Sequence, residues 1–312
     1  MSKKFKKPNA FRNRTSSYKV TEASELLDYL ILLIKDKSRN KVKSLLTHKQ
    51  IMVNDKIVSQ HNHELKAGDQ VKISWDKAFK KISYQGLSIV FEDEDIIVIN
   101  KRSGFLSIGS KKEKNQTVYQ VLTNHIQRDN PTARLFVIHR LDREASGLMV
   151  FAKNKAAQVE LEDTWKKTLA KRKYLIITEG TIEKDEDKIE SYLGETKALI
   201  VHSSSNPKHG KKAITHYSVL KKNEYFTMLE AWQETERKHQ ARVHFQSLGH
   251  SIVGDKKYGA TENPIGRTGV HAIKLVFMHP KTHKEIVFDT KPPEDFLKVF
   301  RYKFYEGAGK QK

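Results

Sequence analysis

The sequence predicts an α+β protein. A small N-terminal domain is expected to precede a larger one, built on a mixed, mostly antiparallel β-sheet flanked by helices. Three observations predict it. The chain has 312 residues, 38% of them hydrophobic, enough for two domains and a sizeable core. In its later part, strand patterns outnumber helical ones and several connect as hairpins. Between the two parts lies a lysine-bearing stretch, residues 76–86 with Lys77, Lys80 and Lys81, that reads as a linker.

Residues 1–20 hold seven Lys or Arg and no acid. With Pro8 among Asn and Ser, they read as a disordered basic arm. Order is expected from Thr21, and the small domain spans 21–75. Leu26, Leu27, Leu30, Leu33 and Ile34 recur at helical spacing. Ser38 can cap a second helix with Val42, Leu45 and Leu46 on one face. Arg39, Lys41 and Lys43 lie on that helix, beside Lys35 and Lys37. IMVNDKIV (51–58) reads as two short strands around Asn54-Asp55. Leu65, Ala67-Gly68-Asp69, Val71 and Ile73 suggest a closing turn and strand.

The larger domain is expected over 87–300, with a basic tail at 301–312. LSIVFEDEDIIVIN (87–100) reads as a strand, an acidic turn and a strand. Thr117 starts a helix through Val118, Val121 and Leu122; FVIHRLD ends a strand and GLMVFA (147–152) begins the next. Asn154 can cap a helix through Ala157, Leu161, Trp165 and Leu169. YLIIT (174–178), ITHYSVL (214–220) and YFTMLEAW (225–232) read as strands, the last two paired across Lys222-Asn223. A helix is expected from His239 to Leu248, stopped by Gly249. LVFMHP and EIVFDT close the domain as a hairpin. There is no internal repeat.

Charge is the first functional clue. Fifty-eight Lys and Arg against 37 Asp and Glu give a net charge of +21. Such an excess attracts polyanions, nucleic acid first and acidic membrane second. No run of eighteen apolar residues is present and no apolar segment follows the basic N-terminus, so neither a membrane span nor a secretory signal is expected. Cysteine is absent, which excludes disulfides, iron–sulfur clusters and thiolate zinc, and suits a cytoplasmic protein.

Most motif readings are weak. GFLSIGSK (104–111) nearly spells a phosphate-binding loop, but its lysine is displaced. The fourteen histidines include no HExxH and no cluster at ligand spacing, so no metal is expected. Ser146 and Ser203–Ser205 lack the nucleophile-elbow glycines. HRLDREASGL (139–148) remains. Asp142 there is flanked by Arg140 and Arg143, between two apolar strands. An arginine favours the ionised carboxylate, which can serve as nucleophile or base. An ion pair at a strand end fits the same residues. On RNA without metal, a lone carboxylate suits attack at a glycosidic bond better than phosphoryl transfer.

Five ordered segments carry a resemblance. HRLDREASGLMVFAKN is similar to the His-Arg-Leu-Asp-x-x-Thr-Ser-Gly-Leu signature of the RluA-type pseudouridine synthases. KRKYLIITEG, KKAITHYSVL, ETERKHQARVHFQSLGHSIVGDKKYG and VHAIKLVFMHP resemble the family's later motifs, in order, over residues 87–298. KSLLTHKQIMVND and HELKAGDQVKI resemble the alpha-L RNA-binding domain first described in a small-subunit ribosomal protein.

The resemblance implies isomerisation of uridine to pseudouridine in structured RNA, with no cofactor and no metal, after the base leaves its stack. The RNA would be large-subunit ribosomal RNA first, transfer RNA second. A monomer is expected. Asp142 would be the essential carboxylate, Tyr174 would stack on the uracil and assist proton removal, and Arg242 would pair with Asp142. Arg140 would fill the gap left by the flipped base. Leu141, His139, Arg237, His239 and Gln240 would shape the substrate pocket. Arg39, Lys41, Lys43, Lys171, Arg172 and Lys211 would bind RNA, giving salt-sensitive affinity. Ala145, Glu236 and Ala241 depart from the family pattern and bear on specificity. The alternative is a non-catalytic RNA-binding or ribosome-assembly factor on the same fold. Retention of Asp142, Tyr174 and Arg242 together argues against it, and the missing ligand clusters argue against a metal-dependent nuclease.

Overall fold

A computed structural model describes residues 15–54, 56–75, 84–109, 117–128 and 130–301. The expected arm up to residue 14, the linker up to residue 83 and the tail from residue 302 lie outside the described residues. The chain divides into two compact units, Met1–Ser83 and Tyr84–Lys312.

The first unit contains β1 (Thr15–Lys19), β2 (Ser24–Glu25), α1 (Leu26–Leu33), α2 (Arg39–Thr47), β3 (Ile51–Val53), β4 (Lys56–Ile57), β5 (Glu64–Leu65) and β6 (Gln70–Ser74). The Ser38 hydroxyl accepts the Lys41 N–H, fixing the start of α2. Val42, Leu45 and Leu46 bury against Leu26, Leu30, Val71 and Ile73, while Arg39, Lys41 and Lys43 stay exposed. Each fully buried aliphatic side chain contributes about 1.5–3 kcal/mol. One expectation is corrected. Composition predicts a disordered arm through residue 20, yet Thr15–Lys19 forms β1 and pairs antiparallel with β6. Its alternate residues are half-buried, and β6 supplies the open edge that a basic segment can complete.

The second unit contains β7 (Leu87–Glu92), β8 (Ile96–Lys101), α3 (Val118–Ile126), β9 (Phe136–Val137), β10 (Ser146–Ala152), α4 (Lys155–Thr164), β11 (Lys173–Glu179), β12 (Glu186–Glu195), β13 (Val201–Ser204), β14 (Lys211–Lys222), β15 (Phe226–Gln233), α5 (Gln240–Ser247), β16 (Val270–Met278), β17 (Glu285–Asp289) and α6 (Glu294–Lys298). Among the described residues the strands make one sheet in the order β13-β12-β14-β15-β11-β16-β10-β8-β7, with β17 on β16 and β9 on β10. The mixed, mostly antiparallel sheet is as expected. Its parallel pair, β10 with β16, joins the two halves.

That junction depends on Gly147. Its φ is +116°, and a Cβ there would lie 2.3 Å from the Ala272 carbonyl oxygen. Only glycine lets β10 approach β16 so closely. The helix expected through Leu169 ends sooner: α4 gives way to a 3₁₀ segment at Trp165–Lys171. The buried Arg172 explains this. It donates to the Trp165 carbonyl and the Thr168 hydroxyl and stacks 3.5 Å from the Trp165 ring. The strands β12 and β13 carry a weaker sequence signal, since only Ile189, Ser191 and Leu193 alternate inward through a charged segment.

Candidate active site

The fold brings three distant segments together. β9 is only two residues long, so 138–145 is a loop leading into β10. Tyr174 lies near the start of β11, which one strand, β16, separates from β10. The helix α5 packs on the sheet through Phe245, near Tyr174, Ile176 and Ala231. Between them is a pocket of about 420 Å³, lined by Arg140, Leu141, Asp142, Tyr174, Glu236, Arg237, His239, Gln240, Arg242, Lys257 and neighbouring residues.

Asp142 is nearly half-exposed, and its Oδ2 accepts a 2.7 Å hydrogen bond from Nη1 of Arg242. Arg242 spends its other face on Asp255, donating Nε to Oδ2 at 2.6 Å and Nη2 to Oδ1 at 2.7 Å. Asp255 is 2% exposed, so this two-pronged pair is rigid and desolvated. Burial disfavours the guanidinium charge, but the two carboxylates more than offset it and raise the Arg242 pKa. Arg242 thus reaches Asp142 already oriented.

The backbone around Asp142 is clamped from the other side. The Ser107 hydroxyl donates to the Leu141 carbonyl at 2.6 Å, and the Ser103 hydroxyl donates to the Glu144 carbonyl at 2.7 Å. Lys101, fully buried, donates to the carbonyls of Arg102, Phe105 and Arg143 at 2.9–3.0 Å. Burial pulls its pKa down to about 8, with Glu144 and Asp142 acting in the opposite sense. Part of the segment that resembles a phosphate loop therefore fastens the Asp142 loop.

Tyr174 has its pKa pushed up to about 12, by burial first and then by the Glu236 charge. It is a protonated phenol at neutral pH, which suits stacking and hydrogen-bond donation better than proton abstraction. Arg140 and Arg237 are exposed on the pocket wall, and Leu141 is buried beside them.

Two expected contacts are relocated, those of His139 and Arg172, and two more residues, Gln240 and Lys171, have side chains already engaged within the protein. His139 faces away from the pocket: it accepts the Val150 N–H at 3.1 Å and packs 4.7 Å from the Trp165 ring. Burial, then the Arg172 charge, lowers its pKa to about 3. Arg172 is 4% exposed and donates to the Val276 and Trp165 carbonyls, so it supports the sheet and has no face for RNA. The amide of Gln240 borders the pocket but is committed to Ile214, Thr215 and Thr235, holding α5 to β14. Lys171 is exposed but pairs with Glu285 at 2.5 Å. Lys211 is exposed at the start of β14.

Sequence reasoning assigns no role to Lys101, Ser107, Asp255 or Tyr258. Asp255 and Tyr258 lie inside the stretch Gly-Asp-Lys-Lys-Tyr-Gly (254–259), and the spacing of that motif is the available signal. Among the described residues no group of three or more His, Asp or Glu has the arrangement of a metal site. None of the described helices is long and apolar enough to cross a membrane.

Comparison with known proteins shows what the chain is similar to. The family described as RNA pseudouridylate synthase matches residues 95–247. A Bacillus subtilis protein named uncharacterized RNA pseudouridine synthase YhcT is 32% identical over 272 residues, covering 86% of this chain and 89% of its own. The ribosomal large subunit pseudouridine synthase D of Vibrio cholerae is 31% identical over 303 residues, covering 91% and 93%. Among solved structures, human RNA pseudouridylate synthase domain containing 4 superposes with a TM-score of 0.57 at 21% identity, over 69% of this chain and 92% of its own, a likeness of fold.

Proposed function

Because the chain belongs to the RNA pseudouridylate synthase family and is an isomerase that makes pseudouridine in RNA, we propose that it modifies uridines of large-subunit ribosomal RNA with Asp142 as its essential carboxylate. The observation that carries the assignment of Asp142 is the Asp142–Arg242–Asp255 chain at the pocket. A buried carboxylate holds an arginine, and the arginine holds a partly exposed carboxylate where a ribose can reach it. The target uridine leaves its stack at a cost of a few kcal/mol, and its base enters the pocket. Arg140 fills the vacated place, Tyr174 stacks on the uracil, and Arg237 meets the backbone at the rim. Asp142 acts on the sugar while the bond to N1 breaks and the base turns and rejoins through carbon five, which then gives up its proton while N1 takes one up. The enzyme works as a cytoplasmic monomer without metal or cofactor.

The ribosomal target is supported by the likeness to the Vibrio cholerae enzyme, by the net charge of +21 and by the exposed cations of α2. The first unit is read as an alpha-L RNA-binding domain. Replacing Arg39, Lys41 and Lys43 together with glutamate should weaken RNA binding and flatten its salt dependence by roughly two to three units of log–log slope. Filter binding from low to moderate salt checks this, and an unchanged slope would remove α2 from the interface. The substrate is tested by tritium release from transcripts labelled at uracil carbon five. Release should saturate at a few sites on large-subunit RNA. Release from transfer RNA alone would overturn the ribosomal assignment.

A third expectation concerns Asp255. Asp255→Asn should lower kcat by about 100-fold through misplacement of Arg242, with little change in KM. It should also cost about 3 kcal/mol of stability by breaking a buried ion pair. Steady-state turnover and thermal unfolding check both. A variant with normal kcat would show that Arg242 needs no second carboxylate.

A further inference from the structure

His239 holds the position before α5 with a φ of +54°, the left-handed region that a side chain with a Cβ seldom adopts. Such backbone persists only where its surroundings impose it, and it concentrates at functional sites. The imposed conformation brings the ring to the pocket wall, with Nδ1 2.6 Å from the Tyr258 hydroxyl and Nε2 3.8 Å from Oδ2 of Asp142.

The hydrogen bonds favour one place for the ring proton. The Tyr258 hydroxyl is buried and accepts the Val201 N–H at 3.4 Å. Among the described residues, Nδ1 of His239 is the acceptor within reach of its own proton. The phenol stays protonated, since burial raises its pKa above the usual value. With Nδ1 accepting that proton, the neutral imidazole carries its own on Nε2. Burial holds the imidazole below its ordinary pKa; Asp142 acts against this, and Arg242, Lys257 and Lys238 act with it. At 3.8 Å the Nε2–H is too far from Asp142 for a hydrogen bond. It is a fixed donor beside the reacting carboxylate.

We propose that His239 is a catalytic residue whose Nε2–H donates to the O2 carbonyl of the target uracil as the glycosidic bond breaks. Asp142 faces the sugar that bears the base, whether it adds to that sugar or takes a proton from it, so a donor beside it neighbours the O2 edge of that base. When the bond from the sugar to N1 breaks, its electron pair stays with the uracil and spreads over N1, O2 and O4. A preoriented donor at O2 stabilises that charge. His239 keeps its proton throughout, and Tyr258 keeps the imidazole in the right tautomer. The inference rests on Asp142 being the catalytic carboxylate.

The test uses the full-length protein and transcripts of large-subunit and transfer RNA, each made once with uridine and once with 2-thiouridine, whose sulfur is a weak acceptor. On uridine, His239→Ala should lower kcat by about 100-fold, the usual size for losing one such donor, with KM nearly unchanged. On 2-thiouridine the same substitution should cost less than about tenfold, because the acceptor is already impaired. His239→Gln, which retains an N–H near Nε2, should recover at least ten times the alanine rate. Nitrogen-15 NMR, with His239 assigned by its absence from the glutamine variant, should show a protonated Nε2 that Tyr258→Phe disturbs. Equal penalties on both substrates, a loss confined to KM, or a proton on Nδ1 would each overturn the proposal. Full activity in Asp142→Asn would instead overturn the reading of the site on which it rests.

Discussion

Replacing Asp142 with asparagine should abolish pseudouridine formation, lowering the rate by roughly four orders of magnitude. The same change should leave RNA affinity and thermal stability almost untouched. Both parts follow from the geometry. Asp142 is nearly half-exposed, and its one short hydrogen bond from Arg242 can be accepted by an amide oxygen as well. Arg242 keeps its two bonds to Asp255 in the variant, so the pocket wall stays in place. What disappears is the carboxylate charge at the sugar. Tritium release with enzyme in excess would expose residual turnover, and gel-shift binding would confirm an intact interface. A variant that still turns over within tenfold of the parent would remove Asp142 from the chemistry. A variant that fails to bind would make it a binding residue instead.

Gly147→Ala should have the largest effect on stability. A methyl group there would sit 2.3 Å from the Ala272 oxygen and 2.4 Å from its nitrogen, atoms of the paired backbone that cannot step aside. The φ of +116° adds strain for any residue with a Cβ. Overpacking and backbone strain each cost roughly 1–3 kcal/mol, so a loss of about 3–5 kcal/mol is expected. For a unit of this size that corresponds to a fall of roughly 10 °C in Tm. Gly104→Ala is the control, since Gly104 has a φ of +85° but nothing within 4 Å of where its methyl group would sit. Calorimetry should show the Gly147 variant well below the Gly104 variant. Equal Tm values would mean that the β10–β16 approach is not what requires glycine. The damage should also reach activity, because Gly147 follows the Asp142 loop directly.

Much of the site is legible where local pattern and local chemistry coincide. Ser38, Thr117 and Asn154 are readable as helix caps because capping is decided within a few residues, and each accepts the expected backbone N–H. The turn at Asn223 closes as expected because that side chain itself accepts the N–H groups of Tyr225 and Phe226. The reading fails where a partner arrives from far along the chain. His139 and Arg172 look like surface contacts from their motif and charge, yet both are consumed around Trp165. Nothing local distinguishes an arginine bound for phosphate from one bound for a buried carbonyl. β1 is hidden for the same reason, since a basic segment becomes a strand only when β6 offers its edge.

Hydrophobic periodicity, turn residues and motif order are properties of short stretches, so the linear chain suffices for the α+β class and the family resemblance. Motif order also points to Arg242 as the partner of Asp142, a pairing that the 2.7 Å hydrogen bond makes concrete. It takes the folded chain to show that Asp255 locks Arg242, that Lys101 and Ser107 clamp the loop, and that Tyr258 orients His239. These are contacts between residues up to forty-two positions apart, as from Lys101 to Arg143. They exist because β10 and β16 meet at Gly147 and α5 lies across the sheet beside them. Distance and burial give each group its job, and neither is a property of the residue alone.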